Sequence, residues 1–125
     1  MTKNFSKEEL MCKCGCGQLP NLANAKMLEI SRHIGGCKPI IISSSMRCPV
    51  HNKNVCGANT SLHMFGFADD IIGWGDYRTN TPEGRKIIGD LFRNSGWYVI
   101  IEPTWIHIDL RLVFPQILEI RKSKY

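Results

Sequence analysis

The chain has 125 residues, 43% of them hydrophobic and 22% charged, with a formal net charge of +5. That length carries a single domain with a core of its own, and the composition excludes disordered and fibrous classes. The longest apolar runs, "PIIISSS" and "WYVII", are strand-sized, and "MTKNFSKEEL" has no apolar segment after its first basic residue. The expectation is a protein with no membrane insertion and no secretory signal, cytoplasmic at synthesis. The positive balance, with its basic tail "RKSKY", suits a polyanionic partner: nucleic acid, an acidic cell-wall polymer or a membrane surface. No basic helix with interleaved aromatics and no recognised nucleic-acid motif accompanies it, so a solvated positive surface on a monomer is the reading carried forward.

In chain order, "FSKEEL" predicts a short helix capped by Ser6, with Glu9 three residues later. The loop "MCKCGCGQL" follows, with Cys12, Cys14 and Cys16 on alternate positions. Over residues 21 to 34, Leu22, Ala25, Leu28 and Ile34 recur at helical spacing before Gly35 and Gly36. "KPIIISSS" predicts a buried strand, and "CPVHNKNV" a turn of helix with Pro49 near its start. The loop "CGANTS" leads to "LHMFGFADDII", whose second half predicts a strand, and "GWGDYRTN" a surface loop. Thr81 caps a further helix, with Pro82 at its first position and Ile87, Ile88, Leu91 and Phe92 as its buried face, until "NSG" stops it. Two strands, "WYVII" and "WIHIDLR", are joined by Glu102, Pro103 and Thr104, and a short helix is expected from Pro115. With no repeats and no linkers, this order predicts an α+β domain over residues 1 to 125, a small antiparallel sheet with helices packed mainly on one face.

Six cysteines, at positions 12, 14, 16, 37, 48 and 56, are many for a reducing compartment. "CKCGCG" lacks the two-residue gap usual between paired zinc ligands, and no matching CxxC or HxxxH follows. Free thiols, or a disulfide packing the N-terminal loop, are the preferred reading. A mixed zinc site completed by Cys48 or Cys56 is the alternative.

The chemistry is expected elsewhere. In "SLHMFGFADD", His63 lies in a loop and Asp70 on a strand, with Gly66 and Ala68 on the face of Asp70 keeping space clear. In "WIHIDLR", Ile106, Ile108 and Leu110 alternate toward the core and leave Trp105, His107, Asp109 and Arg111 on the other face. Two histidines and a carboxylate form a zinc set that leaves the fourth position for water, the catalytic rather than the structural pattern. Each residue taken singly has a blander reading, as a core histidine or a strand-end charge. Their joint arrangement favours the metal.

"SLHMFGFADD" resembles the S-x-H-x-x-G-x-A-x-D signature of the zinc D-Ala-D-Ala metallopeptidase family, and "WIHID" resembles its second motif. "ISSSMRCPVHNKNVCGA" is similar to the family's stretch S-S-G-Y-R-C-P-x-H-N-x-x-V-G-G-A, and the "CKCGCG" opening recurs in one branch. The resemblance implies the small α+β fold shared with the Hedgehog signalling domain, Zn2+ as cofactor, and His63, Asp70 and His107 as its ligands. It implies Arg47 as the guanidinium facing the substrate's carbonyl or carboxylate, Ser61 at the pocket rim, and Asp109 as a group behind the ligands or a substrate contact. Many relatives carry an acid three residues before the last histidine ligand, where this chain has Thr104. Glu102 is then the candidate general base, weighed evenly against a solvated turn residue, with Asp109 as fallback. Met46 and Ser45 replace the family's usual aromatic and glycine. His51 and Asn52 are expected to cap or pin the short helix, and His33 to lie at the surface. The implied activity is hydrolysis of a peptide bond in peptidoglycan stem peptides, of the D,D-carboxypeptidase or L,D-endopeptidase type. A phage lysin, released or virion-associated, would act so at the bacterial cell wall. The alternatives are a non-catalytic zinc-containing binding domain of the same fold and a thiolate zinc module built on Cys12, Cys14 and Cys16.

Overall fold

The computed structural model describes residues 1–124, without the side chains of residues 121 to 124. Ser6 accepts from the Glu9 N–H (3.1 Å) and starts α1 (Lys7–Leu10), whose Leu10 is fully buried. Asn21 accepts from the Ala23 N–H and starts α2 (Leu22–Ile34). The face that α2 buries is Asn24, Ala25, Leu28 and Ser31, whereas Leu22 and Ile34 are 48% and 53% exposed, against the apolar periodicity. Two polar residues hold the buried positions because each has a buried partner. Asn24 donates to Asp69 Oδ1 (3.0 Å), and the Trp97 indole donates to Ser31 Oγ (2.8 Å). Burial pushes the Asp69 carboxyl up to about 7, with the bond from Asn24 opposing it.

The sheet consists of β1 (Ile40–Ser44), β2 (Ala68–Trp74), β3 (Tyr77–Arg78), β4 (Tyr98–Ile101) and β5 (Ile106–Asp109). The strand order is β1-β2-β5-β4, with β3 paired to β2 and every pairing antiparallel. "GWGDYRTN", expected as a loop, is a hairpin: Trp74 faces Tyr77 across a two-residue turn whose Gly75 takes φ +57°. Just beyond it, the buried Thr79 donates its hydroxyl to the Thr104 carbonyl (2.7 Å), so the hairpin holds the turn between β4 and β5.

Thr81 accepts from the Gly84 N–H (3.1 Å) and starts α4 (Pro82–Asn94); α3 (Pro49–Asn54) and α5 (Ile117–Lys124) are shorter. Ile88, Leu91 and Phe92 of α4 are buried as expected, but Ile87 is 37% exposed. α4 packs on β3, β4 and β5 and touches α2, enclosing a core with Ile71, Ile106, Ile108 and Leu110 at its centre. This is the expected α+β architecture, and it leaves the other face of β2 and β5 for the site. No helix among the described residues is long and apolar enough to cross a membrane. The side chains of the basic tail expected to meet a polyanion lie outside the described residues.

Candidate metal centre

Antiparallel register sets Asp70 of β2 directly across from His107 of β5, and Ala68 across from Asp109. Directly opposed residues share a face, so Asp70 and His107 point to the same side. His63 reaches them from a 3-10 helix, Leu62–Phe65, rather than from the expected loop. Ser61 caps this helix by accepting from the His63 N–H (3.2 Å), and Gly66 ends it at φ +74°. The small size of Gly66 therefore has a different cause from the one expected. Gly66 lies before β2, and a Cβ there would press on the backbone of Asn21 and Pro20.

His63, Asp70 and His107 each offer one ligand atom, and the three atoms lie within 4.8 Å of one another. Asp70 Oδ1 is 3.2 Å from His63 Nε2 and 3.6 Å from His107 Nδ1. Each imidazole is held by its other nitrogen: His63 Nδ1 is 2.7 Å from the Ser45 carbonyl and His107 Nε2 is 2.8 Å from Asp109 Oδ2. An N–H on each outer nitrogen leaves a lone pair on each inner one, the tautomers that a cation needs. Two oriented imidazoles and a carboxylate are a donor set that suits a divalent first-row metal.

The charges agree with that use. Burial opposes ionisation of Asp70, but the close approach of His107 and His63 and the charge of Arg47 outweigh it and hold the carboxyl well below the usual carboxylate range. Burial would lower the pKa of His107, but its bond to Asp109 and the nearby Asp70 carboxylate push it up to about 9. A cation taking His107 Nδ1 must displace that proton, so zinc uptake by chelator-treated protein should tighten as the pH rises toward 9. Titration calorimetry in buffers of different ionisation heat should register one proton released near neutral pH, and none would contradict this.

Asp109 is fully buried. Its Oδ2 accepts from His107 and Arg111 Nη2 (both 2.8 Å), and its Oδ1 accepts from Arg111 Nε (2.9 Å) and the Arg111 N–H (3.1 Å). With both oxygens engaged, it is placed to orient His107 rather than to take a proton in the cleft. Asp109→Asn should weaken zinc binding about 10–100-fold with the fold intact, measured by chelator competition.

His63, Asp70 and His107 line a cleft of about 360 Å³ together with Arg47, Ser61, Glu102, Trp105 and Arg111. Glu102 enters it from the β4–β5 turn, where its N–H donates to the Trp105 carbonyl (3.0 Å), whereas Thr104 is exposed outside the lining. Arg47 donates to Asp70 Oδ2 (2.8 Å), Ser44 Oγ and Asn52 Oδ1 (both 3.1 Å). Asn52, expected to pin its own helix, holds Arg47 and donates to the Ala58 carbonyl (2.9 Å). His33 and His51 stay out of the cleft lining.

Several site residues escaped the sequence reading. The Ser45 carbonyl leaves no trace in side-chain chemistry. Arg111 was legible only as a neighbour of Asp109 on one strand face. Gly57 matters through space: a Cβ there would overlap Asn52 Oδ1 and come within 2.9 Å of Arg47 Nη1. Gly57→Ala should therefore free Arg47, and the expected result is a rate loss of about tenfold or more with zinc content unchanged.

Fold and site together define the class: a small α+β domain in which two histidines and a carboxylate that could hold a metal ion open on a cleft, the arrangement of catalytic zinc sites, which use three protein ligands and leave a fourth position open. Residues 3–109 match the family described as Peptidase M15, and the chain belongs to it. Over 76 residues, 61% of this chain, it is 36% identical to the zinc D-Ala-D-Ala carboxypeptidase of Streptomyces albus G. The aligned stretch spans 27% of that relative's length.

Proposed function

We propose that the chain is a zinc-dependent peptidase that hydrolyses a peptide bond in peptidoglycan stem peptides, with His63, Asp70 and His107 holding the zinc. The observation that carries this reading is the cleft, whose wall presents Arg47 and Glu102 beside all three ligands. Zinc, when bound, supplies Lewis acidity that polarises a carbonyl and brings the pKa of a water to about 7. Glu102 takes the proton from the attacking water and passes it to the leaving amine. Arg47 spends three of its five N–H donors on Ser44, Asn52 and Asp70, and the remaining two can meet the negative charge that grows on the carbonyl oxygen. Ser61 keeps its hydroxyl hydrogen for a substrate contact at the rim. Trp105 and Ile100 give the cleft an apolar wall.

Membership of the family and the name of the Streptomyces relative support a carboxypeptidase-type reaction on a D-Ala-D-Ala end. An L,D-endopeptidase reaction, as in a phage lysin, would use the same centre, and a net charge of +5 would favour contact with an anionic wall. The presence of Glu102 in the cleft favours catalysis over a zinc-containing binding domain. The test is incubation of zinc-loaded protein with a peptide ending in D-Ala-D-Ala and, separately, with purified peptidoglycan, followed by mass spectrometry. Release of terminal D-Ala supports the first activity and internal cleavage of stem peptides the second. No product from either substrate would favour the binding domain.

A further inference from the structure

The loop from residue 11 to 20 has almost nothing apolar to hold it. Residues 13 to 18 are exposed, and the small buried cluster beside the loop is Cys12, Met46 and Cys48, separate from the main core. What converges there is sulfur. Cys12, Cys14, Cys16 and Cys48 each offer a thiol, and the four Sγ atoms lie within 4.8 Å of one another. Cys12 Sγ is 3.4 Å from Cys14 Sγ, which is 3.5 Å from Cys48 Sγ, and all four are free thiols. Four thiolates about 2.3 Å from a tetrahedral zinc would stand about 3.8 Å apart.

Alternate residues of an extended chain are too far apart for this, so the backbone must curl. Gly15 and Gly17 do so at φ +85° and +81°, between and after the thiols, and the Gly15 N–H closes a turn on the Cys12 carbonyl (3.3 Å). The backbone also solvates the sulfurs. The Cys48 N–H donates to Cys12 Sγ (3.3 Å) and the His51 N–H to Cys48 Sγ (3.4 Å), the pattern that stabilises thiolate charge.

We propose that Cys12, Cys14, Cys16 and Cys48 form a second, structural zinc site, which staples the N-terminal loop to the segment carrying Arg47. Binding replaces four S–H bonds by four Zn–S bonds and releases four protons to solvent, with no oxidant required. A closed thiolate set has no position for water, so its contribution is to folding rather than to hydrolysis. Cys48 directly follows Arg47, and the Met46 N–H already donates to the Leu10 carbonyl (3.2 Å). The staple at Cys48 and the Met46–Leu10 bond thus hold the residues on either side of Arg47. Of the two cysteines that the sequence offered to complete a mixed site, Cys48 and Cys56, it is Cys48 that lies with the other three.

The test is zinc content by mass spectrometry for wild type, His63→Ala and the double variant Cys14→Ser/Cys16→Ser, whose changes fall on exposed side chains. The expected contents are about two zinc per chain in wild type and about one in each variant. Cobalt-loaded wild type and His63→Ala should both show thiolate-to-metal charge-transfer absorption, an arm that stands even if the double variant does not fold. About one zinc in wild type that persists in His63→Ala would support the thiolate site and count against the histidine site. About one that vanishes in His63→Ala, or cobalt protein without thiolate absorption, would overturn the proposal.

Discussion

His63→Ala should remove the cleft zinc and cut peptide hydrolysis by on the order of 10³-fold or more, several kcal/mol of transition-state stabilisation. The imidazole is buried, its Nδ1 fixed on the Ser45 carbonyl and its Nε2 turned to Asp70. Of its neighbours, Arg47 is cationic and the Ser61 oxygen already accepts a backbone N–H in capping the short helix, so neither replaces the imidazole. Zinc content, hydrolysis rate and far-ultraviolet circular dichroism should be measured on the same preparation. A folded variant with full zinc and wild-type rate would remove His63 from the centre.

Glu102→Gln should separate metal from proton transfer. The substitution keeps size and hydrogen-bonding capacity but removes the basic oxygen, so zinc content should be unchanged while kcat falls by about 10²–10⁴-fold. KM should move little, since the loss concerns the transition state. The position follows from architecture: Thr79 holds the Thr104 carbonyl, the Glu102 N–H holds Trp105, and the turn so fixed places Glu102 at the cleft wall. An unchanged kcat would take the general base away from Glu102. Asp109 is a poor substitute, because both its oxygens are engaged by His107 and Arg111.

The helices and strands were legible largely because their signals are local. Ser6, Asn21 and Thr81 accept from backbone N–H groups a few residues ahead, and Pro82 fits where an N–H is not needed. The exceptions are instructive. Leu22, Ile34 and Ile87 have the right spacing for a buried face but are partly exposed, because spacing gives an angle around the helix and not what packs against it. Asn24 and Ser31 are buried because Asp69 and Trp97, far along the chain, supply their hydrogen bonds. β3 was missed because a two-residue strand carries almost no period of its own.

The sequence by itself determined the longer helices and strands and their order, the donor types and the strand faces, since side-chain alternation and helix caps depend on neighbouring residues. It also marked His63, Asp70 and His107 as a set through a resemblance to the family. Tertiary structure decided the rest, because distance between residues remote in sequence is set by register and packing. Antiparallel pairing put Asp70 opposite His107, and packing set the Ser45 carbonyl and Asp109 beside the outer nitrogens of the two imidazoles. Chain reversal brought Cys48 to Cys12, Cys14 and Cys16, a fourth thiol 32 residues beyond Cys16 that spacing could not single out from Cys56.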